Sequence, residues 1–360
     1  MEEKGVTRRD FVKGMAAGSV FGTIGAMGIH SASPLRSAFI PEVKPGNVDI
    51  GECKKVSILN ISETSWFNND DLMDDIKTMG GLLVNQWDFP WPPKGKPGNP
   101  KADLHPENAG GYSALIDVTL LDDSHKYILL DTGWDYEWTD ERFKACGIDK
   151  MLKEGYIDFL YISHEHFDHF WGLPVTLKYK PDITMMIGGD YYPEGMQYIK
   201  DSGFKGNLIV DEKGTPKLYP LFPGCASYYF PIPIICRVFG EHSLYFNVKD
   251  AGIVQVTGCC HQSIIKFADT AYRTLKGGDK PYGVYGGLHI SPFEDWDPKY
   301  DDLVRSLGDW NFKKIGCNHC TGVITAKKFI EAGYPIVQGT ARFRSKDTAY
   351  LGNGDTIDFP

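Results

Sequence analysis

From about residue 55 the chain falls into short apolar runs separated by segments with helical spacing. "KVSILNI" at 55–61 reads as a strand. "YSALIDVTLL" and "KYILLDTG" read as a hairpin around the polar turn "DDSHK". "IDFLYIS" at 157–163 is a continuous apolar run, as expected for a strand buried on both faces. "ITMMIGG", "AGIVQVTG", "YGVYGGL" and "KKIGC" follow the same pattern. Between them lie four stretches with helical spacing: "TDERFKAC", "QSIIKFADTAYRTL", "DPKYDDLVRSLGDW" and "TGVITAKKFIEAG". Such alternation predicts a mixed α/β fold with helices covering sheets, and ligands in folds of this kind gather at strand ends.

Two segments break the pattern. Residues 85–111 carry many prolines, glycines and tryptophans without any period. A loop of that length is commonly functional, and Trp87, Phe89 and Trp91 suggest an ordered aromatic lid. Residues 215–240 are rich in Pro, Tyr and Phe, and read as a second wall or as a cover for a sheet edge.

The first residues are a different kind of sequence. Arg8 and Arg9, then Phe11, Lys13 and a weakly apolar Gly/Ala-rich run, match a twin-arginine export signal over residues 1–33. The run is too short and too poor in Leu and Ile for a stable membrane span after processing. Residues 34–54 read as a linker and 55–360 as the folded domain. The expectation is a periplasmic protein delivered folded by the twin-arginine translocase. Composition adds exclusions. A hydrophobic share of 42% and a charged share of 24% argue against disorder. A net charge of -9 with no Lys/Arg-rich block gives no electrostatic footing for nucleic acid, and leaves a small molecule as the expected partner. Eight cysteines are compatible with disulfides in an exported protein, although a chain of 360 residues buries enough core to do without them.

The strongest chemical signal follows the run "DFLYIS": the six residues "HEHFDH" contain His164, His166, Asp168 and His169. Three of the chain's ten histidines are therefore concentrated in one turn. His164 and His166, two apart, share a face if strand geometry persists, and Asp168 and His169 approach from another side once the chain turns. Imidazole and carboxylate donors together suit zinc, iron or manganese.

"HEHFDH" after an apolar strand, with "LLDTG" upstream, resembles the metallo-β-lactamase superfamily. "VTGCCH", "YGGLH", "CNHCTG" and a closing "GTARF" are similar to its branch of dihydropterin–ribofuranosylaminobenzene phosphate synthase-like proteins. The resemblance implies a four-layer αβ/βα sandwich with two divalent ions, zinc foremost, between its sheets. It implies His164, His166, Asp168, His169, His261 and His319 as metal ligands. Asp131 would orient the ligand loop, and His261 and His289 are matched to the two intervening histidines, either of which ligates or meets substrate. Asp168, His261 and His289 are the candidate catalytic residues, Asp168 holding one ion and orienting the nucleophile. Cys260 and Cys320 become supporting residues behind the ligands, and the C-x-x-C of Cys317 and Cys320 is read as packing rather than as a redox pair. The sequence departs from the branch at Glu63, Gly111, Glu165, Phe170 and Trp171. These departures are expected around the substrate pocket, and they point away from a pterin substrate more than from the metal.

Three functions are compatible with this pattern. The first is metal-dependent hydrolysis of a phosphoester, lactone or amide. The second is a di-iron redox enzyme, against which stands His166 where such sites carry glutamate. The third is a non-catalytic metal-binding protein, against which stands a ligand set larger than the four that close a structural zinc site. His242 in "GEHSL" is a further residue near the site, whereas His105 and His125 read as solvated loop residues.

Overall fold

A computed structural model describes residues 45–78, 109–236 and 238–360. The export signal, most of the expected lid and His105 lie outside the described residues. The first sheet contains seven strands, β1 (Lys55–Ser62), β2 (Ser113–Thr119), β3 (His125–Leu130), β4 (Phe159–Tyr161), β5 (Met185–Ile187), β6 (Leu208–Val210) and β13 (Thr356–Phe359), in the order β13-β1-β2-β3-β4-β5-β6. The second contains β7 (Lys217–Phe222), β8 (Cys225–Ile234), β9 (Val238–Val248), β10 (Gly252–Thr257), β11 (Pro281–Gly287) and β12 (Lys314–Asn318), in the order β12-β11-β10-β9-β8-β7.

The sheets share one apolar core. Val56, Ile58, Ile116 and Ile128 of the first sheet pack in the same cluster as Leu244, Phe246, Val254 and Tyr285 of the second. The second sheet also buries its other face, which is why β10 is buried at every position. There α7 (Ile264–Thr274), α8 (Tyr300–Gly308) and α9 (Val323–Glu331) cover it through Ile264, Phe267, Val304, Leu307 and Phe329. On the first sheet's side lie α2 (Tyr136–Ala145), α3 (Ile148–Glu154) and α5 (Leu173–Tyr179), and α1 (Asn69–Thr78) follows β1. These layers make the four-layer αβ/βα sandwich of the metallo-β-lactamase fold. None of the helices among the described residues is long and apolar enough to cross a membrane.

Three expectations change. Residues 215–240 are not a cover: β7, β8 and the start of β9 are antiparallel strands of the second sheet itself, with tyrosines and prolines in the ladder. "GTARF" is not the closing strand. Ala341 and Phe343 have positive φ angles of 50° and 52°, incompatible with a strand, and β13 lies farther on, paired with β1. Part of the expected linker is packed: Cys53 is fully buried and bridges Val248, and Val48 bridges Leu275.

The strands β3 to β6 are parallel, as are β10 to β12. The histidines described next, and Asp168, follow the C-terminal ends of strands β4, β10, β11 and β12, where side chains from several loops converge.

Candidate metal centre

After β4 the chain enters α4 (Phe167–Phe170) through Ser163, His164 and Glu165. His164, His166, Asp168 and His169 are all buried, at 0 to 7% exposure. The second sheet brings His261 from the end of β10, His289 from the end of β11 and His319 from the end of β12. Gly258 lets the two sides meet: a Cβ there would lie 2.2 Å from Ser163 Oγ.

Among the described residues, the groups of side chains that could hold a metal include two sets with no residue in common. The ligand atoms of His164, His166 and His261 lie within 4.8 Å of one another, and so do those of Asp168, His169 and His319. The partner on the far side of each ring fixes which nitrogen carries the proton. The Asp131 carboxylate takes hydrogen bonds from Ser163 N–H at 2.6 Å and Ser163 O–H at 2.8 Å, so it accepts from His169 Nδ1 at 2.7 Å as well. His169 Nε2 is left with a lone pair. His319 Nδ1 donates to the Glu63 carbonyl at 2.9 Å, leaving a lone pair on its Nε2 too. These two bare nitrogens stand 3.0 Å apart.

The first set repeats the logic. His164 Nδ1 donates to Ser163 Oγ at 2.8 Å, and His166 Nε2 donates to the Ile235 carbonyl at 2.8 Å. Their remaining nitrogens face each other at 2.9 Å. His261 Nδ1 meets Glu241 Oε2 at 2.9 Å, and its Nε2 is buried without a hydrogen-bond partner. Two lone pairs cannot hydrogen-bond to each other, but they can share a cation. Imidazole nitrogens on one tetrahedral zinc stand about 3.3 Å apart, close to both separations.

Burial and mutual proximity keep these rings neutral. Desolvation, helped by the neighbouring imidazoles, drives His164 and His169 well below the ordinary histidine value, lowers His166 and His261 to about 3, and lowers His289 to about 4. A neutral ring is the form that binds metal. Burial likewise pushes Asp131 up, against the two Ser163 hydrogen bonds, and raises Glu241 to about 8 against backbone donors at Gln262 and His261.

Above the two sets opens a cleft. Trp66, Leu72, Ile76, Pro292 and Phe293 give it an apolar wall, while Glu63 and Lys346 supply charged groups. His289 lines it with a buried Nδ1 that has no hydrogen-bond partner. Ile235 and Cys236, at the end of the 215–240 segment, do form part of its wall.

Not every sequence candidate faces this cleft. Cys320 lines it, but Cys260 packs with Ile264, Phe267 and Leu288 under the helices of the second sheet. Beyond β10 the backbone turns at Cys260, whose φ is 62°, so Cys259 faces the histidines while Cys260 faces the helix-side core. His242 pairs with Asp211 at 3.0 Å and stacks on Tyr161, outside both ligand sets. His125 is exposed beside Asp117. Of the departures expected at the pocket, only Glu63 lines it. Glu165 turns away to accept from Tyr192 N–H at 3.1 Å, and Phe170 and Trp171 are fully buried behind the ligand loop. Gly111 sits where a Cβ would strike the Trp134 nitrogen at 2.2 Å, so no side chain fits there. All eight cysteines are free thiols.

Sequence reasoning missed Ser65, Ser163 and Glu241, and placed Cys259 with Cys260 as wall or supporting residues of the site. Ser65 O–H donates to Asp168 at 2.6 Å. Glu241 had no isolated signal, because β9 also carries His242, Ser243 and Asn247. Serine and a main-chain carbonyl such as that of Ile235 leave no compositional signal.

Residues 114–235 match the family model described as the metallo-beta-lactamase superfamily. The chain is 25% identical over 262 residues to the 7,8-dihydropterin-6-methyl-4-(beta-D-ribofuranosyl)-aminobenzene-5'-phosphate synthase of Methanocaldococcus jannaschii, spanning 61% of this chain and 84% of that protein. Among solved structures it is similar to the metallo-beta-lactamase fold protein YhfI from Bacillus subtilis, at 10% identity, 85% and 100% coverage of the two chains and a TM-score of 0.45. Another is the Zn(2+)-bound PqqB from Methylobacterium extorquens, at 11% identity, 84% and 100% coverage and a TM-score of 0.44. The segment 114–235, which holds the whole "HEHFDH" loop, thus matches the metallo-β-lactamase superfamily.

Proposed function

We propose that this protein is an exported metal-dependent hydrolase whose two ligand sets hold a pair of divalent ions, zinc foremost, for attack by water on a small-molecule phosphoester, lactone or amide. One observation carries the reading: imidazole nitrogens left with lone pairs face each other in two pairs, at 2.9 and 3.0 Å, at the floor of a cleft. When bound there, such ions lower the pKa of a water and stabilise the oxyanion that forms on a substrate.

The chain's own residues do the rest. Asp131, Ser163 and Glu241 hold the rings in the correct tautomer. Ser65 fixes one Asp168 oxygen, so the carboxylate keeps a single orientation beside His169 and His319. The apolar wall of Trp66, Pro292 and Phe293 excludes water and suits a substrate with a planar or apolar portion. His289, neutral and with an unpartnered Nδ1 on the cleft, is placed to hydrogen-bond a substrate there. Export rests on Arg8, Arg9 and the apolar run behind them, and a site that needs ions loaded before use suits a route that carries folded proteins.

The test is elemental analysis of the purified protein followed by turnover of a panel of model phosphoesters, lactones and amides. We expect two ions per chain, hydrolysis of at least one class, and loss of both ion content and turnover in His166→Ala. Full ion content with no turnover of any class overturns the hydrolase reading, and turnover undiminished after ion removal overturns the metal mechanism.

A further inference from the structure

The segment "GTARFRSK" at 339–346 supplies nothing to the metal centre, yet its backbone is strained and firmly held. Ala341, Phe343 and Arg344 lie in the left-handed region, with φ angles of 50°, 52° and 65°. None is a glycine, and such a run persists only where its surroundings fix it. The Asp355 carboxylate accepts from Thr340 N–H at 2.8 Å and from Thr340 O–H at 2.6 Å. Asn353, fully buried, donates to the Phe343 carbonyl at 2.8 Å and accepts from Glu63 N–H at 2.7 Å. One side chain therefore mounts both this loop and a residue of the cleft wall.

The loop carries three cations with three kinds of partner. Arg342 faces Asp355 at 3.4 Å. The Arg344 guanidinium lies 3.4 Å from the centre of the Phe67 ring. Lys346 reaches the cleft, where it is the only Lys or Arg among the described residues. Its Nζ donates to the neutral Asn69 amide oxygen at 2.6 Å and joins no ion pair among the described residues. An ammonium has three hydrogens to give, so two remain for a ligand. Two acids of the same wall are committed elsewhere: Glu294 accepts from Val323 N–H at 2.8 Å and Ile324 N–H at 3.0 Å, and Glu63 accepts from Thr64 O–H at 2.7 Å.

We propose that Lys346 selects the substrate, by pairing with a carboxylate or phosphate that the substrate carries away from the bond that is cut. This rests on the hydrolase reading and names its substrate class, a small anionic molecule. A chain with a net charge of -9 repels anions in general, so a cation held on a braced loop is what admits one to the cleft. Trp66 and Phe293 would take the apolar remainder. The rival reading is that Lys346 only offsets the charges of Glu63 and Glu294.

The probes are two esters of equal length, the free acid mono-4-nitrophenyl adipate and its neutral terminal amide, offered to the metal-loaded protein. We expect the acid to be hydrolysed with a kcat/KM at least ~5-fold above that of the amide, the upper range for an ion pair in contact with solvent. Lys346→Met should erase that preference and Lys346→Arg should keep most of it. Arg342→Met, on the same loop, should leave it as it is. No preference in the unaltered protein, or one that survives Lys346→Met, overturns the assignment. So does an equal loss for both esters, the result expected if Lys346 only offsets Glu63 and Glu294. Should neither ester be cut, the hydrolase reading fails for esters, and the same ratio is read from the dissociation constants of the two intact compounds.

Discussion

His164, His166 and His261 on one side of the cleft, and Asp168, His169 and His319 on the other, each draw two residues from the loop after β4 and one from a strand end of the second sheet. Their supports differ. The Asp168 set is braced from the first sheet, by Asp131 after β3 and by Glu63 and Ser65 after β1. The His164 set is braced largely from the antiparallel hairpin of the second sheet, by the Ile235 carbonyl after β8 and the Glu241 carboxyl in β9. Similar donors are thus held by two independent scaffolds. Damage to one scaffold is therefore expected to impair one ion more than the other.

The largest expected effect comes from removing the ions and lowering the pH, which shows whether both sets depend on metal to hold neutral rings together. An ordinary histidine in an unfolded chain titrates near 6.5, whereas His166 and His261 stay neutral in the fold down to about 3. Below pH ~6.5 the unfolded chain binds protons that the folded one refuses, so stability falls as pH falls. Each such ring contributes up to ~1.4 kcal/mol per pH unit. Asp131 and Glu241, whose carboxyls burial raises, act with the opposite sign, but the five lowered rings outnumber them, so we expect the metal-free protein to lose stability between pH 7 and pH 5 in denaturant titrations. A flat profile would mean that the rings are solvated when metal is absent.

Next in size is Asp131→Asn, aimed at one scaffold. Three donors converge on this carboxylate, from Ser163 N–H, Ser163 O–H and His169 Nδ1. An amide turns an NH₂ toward at least one of them, and either orientation leaves a buried conflict. We expect affinity for the ion of the Asp168 set to fall by ~10- to 100-fold, the usual cost of losing such a support. The His164 set should weaken less, because Asp131 reaches it only through Ser163. Equal weakening of both ions, measured by calorimetric titration with zinc, would show that the scaffolds are not independent.

The same contrast explains how much of the site was legible in the sequence. "HEHFDH" and "LLDTG" lie beside buried strands of the first sheet, and the motif residues there include both ligands and their main brace, Asp131. The alternation of strands and helices was legible for the same reason, since burial on both faces leaves continuous apolar runs. In the second sheet β7 and β8 are interrupted by Pro220, Pro231 and Pro233, which hid them as strands. Cys259 and Cys260 are neighbours in sequence and opposites in space, and only the backbone at the end of β10 decides which one meets the histidines. Glu165, Phe170 and Trp171 looked like pocket residues because they flank ligands. A turn of four residues, α4, sends them behind the loop instead.

The smallest expected effect is Glu241→Gln, which probes the other scaffold. Burial raises this carboxyl to about 8, so near neutral pH it is already largely uncharged before an ion arrives. Its two oxygens meet Gln262 N–H at 3.2 Å and His261 Nδ1 at 2.9 Å. Metal on His261 Nε2 requires a proton on Nδ1, and therefore an acceptor opposite it. Glutamine can supply that acceptor by turning its carbonyl toward His261, which sets its NH₂ against the longer and weaker contact from Gln262. The substitution thus costs one marginal hydrogen bond where Asp131→Asn costs a strong one. We expect zinc affinity of the His164 set to fall by no more than ~10-fold, with the Asp168 set unchanged. Because a neutral carboxyl that accepts from His261 sets its O–H against Gln262 N–H, and losing the proton removes that conflict, binding to the unaltered protein should tighten as pH rises toward 8, and the glutamine variant should lack that part of the dependence. A variant that keeps the full pH dependence would place the linked proton on another group, Cys259 being the nearest thiol to test.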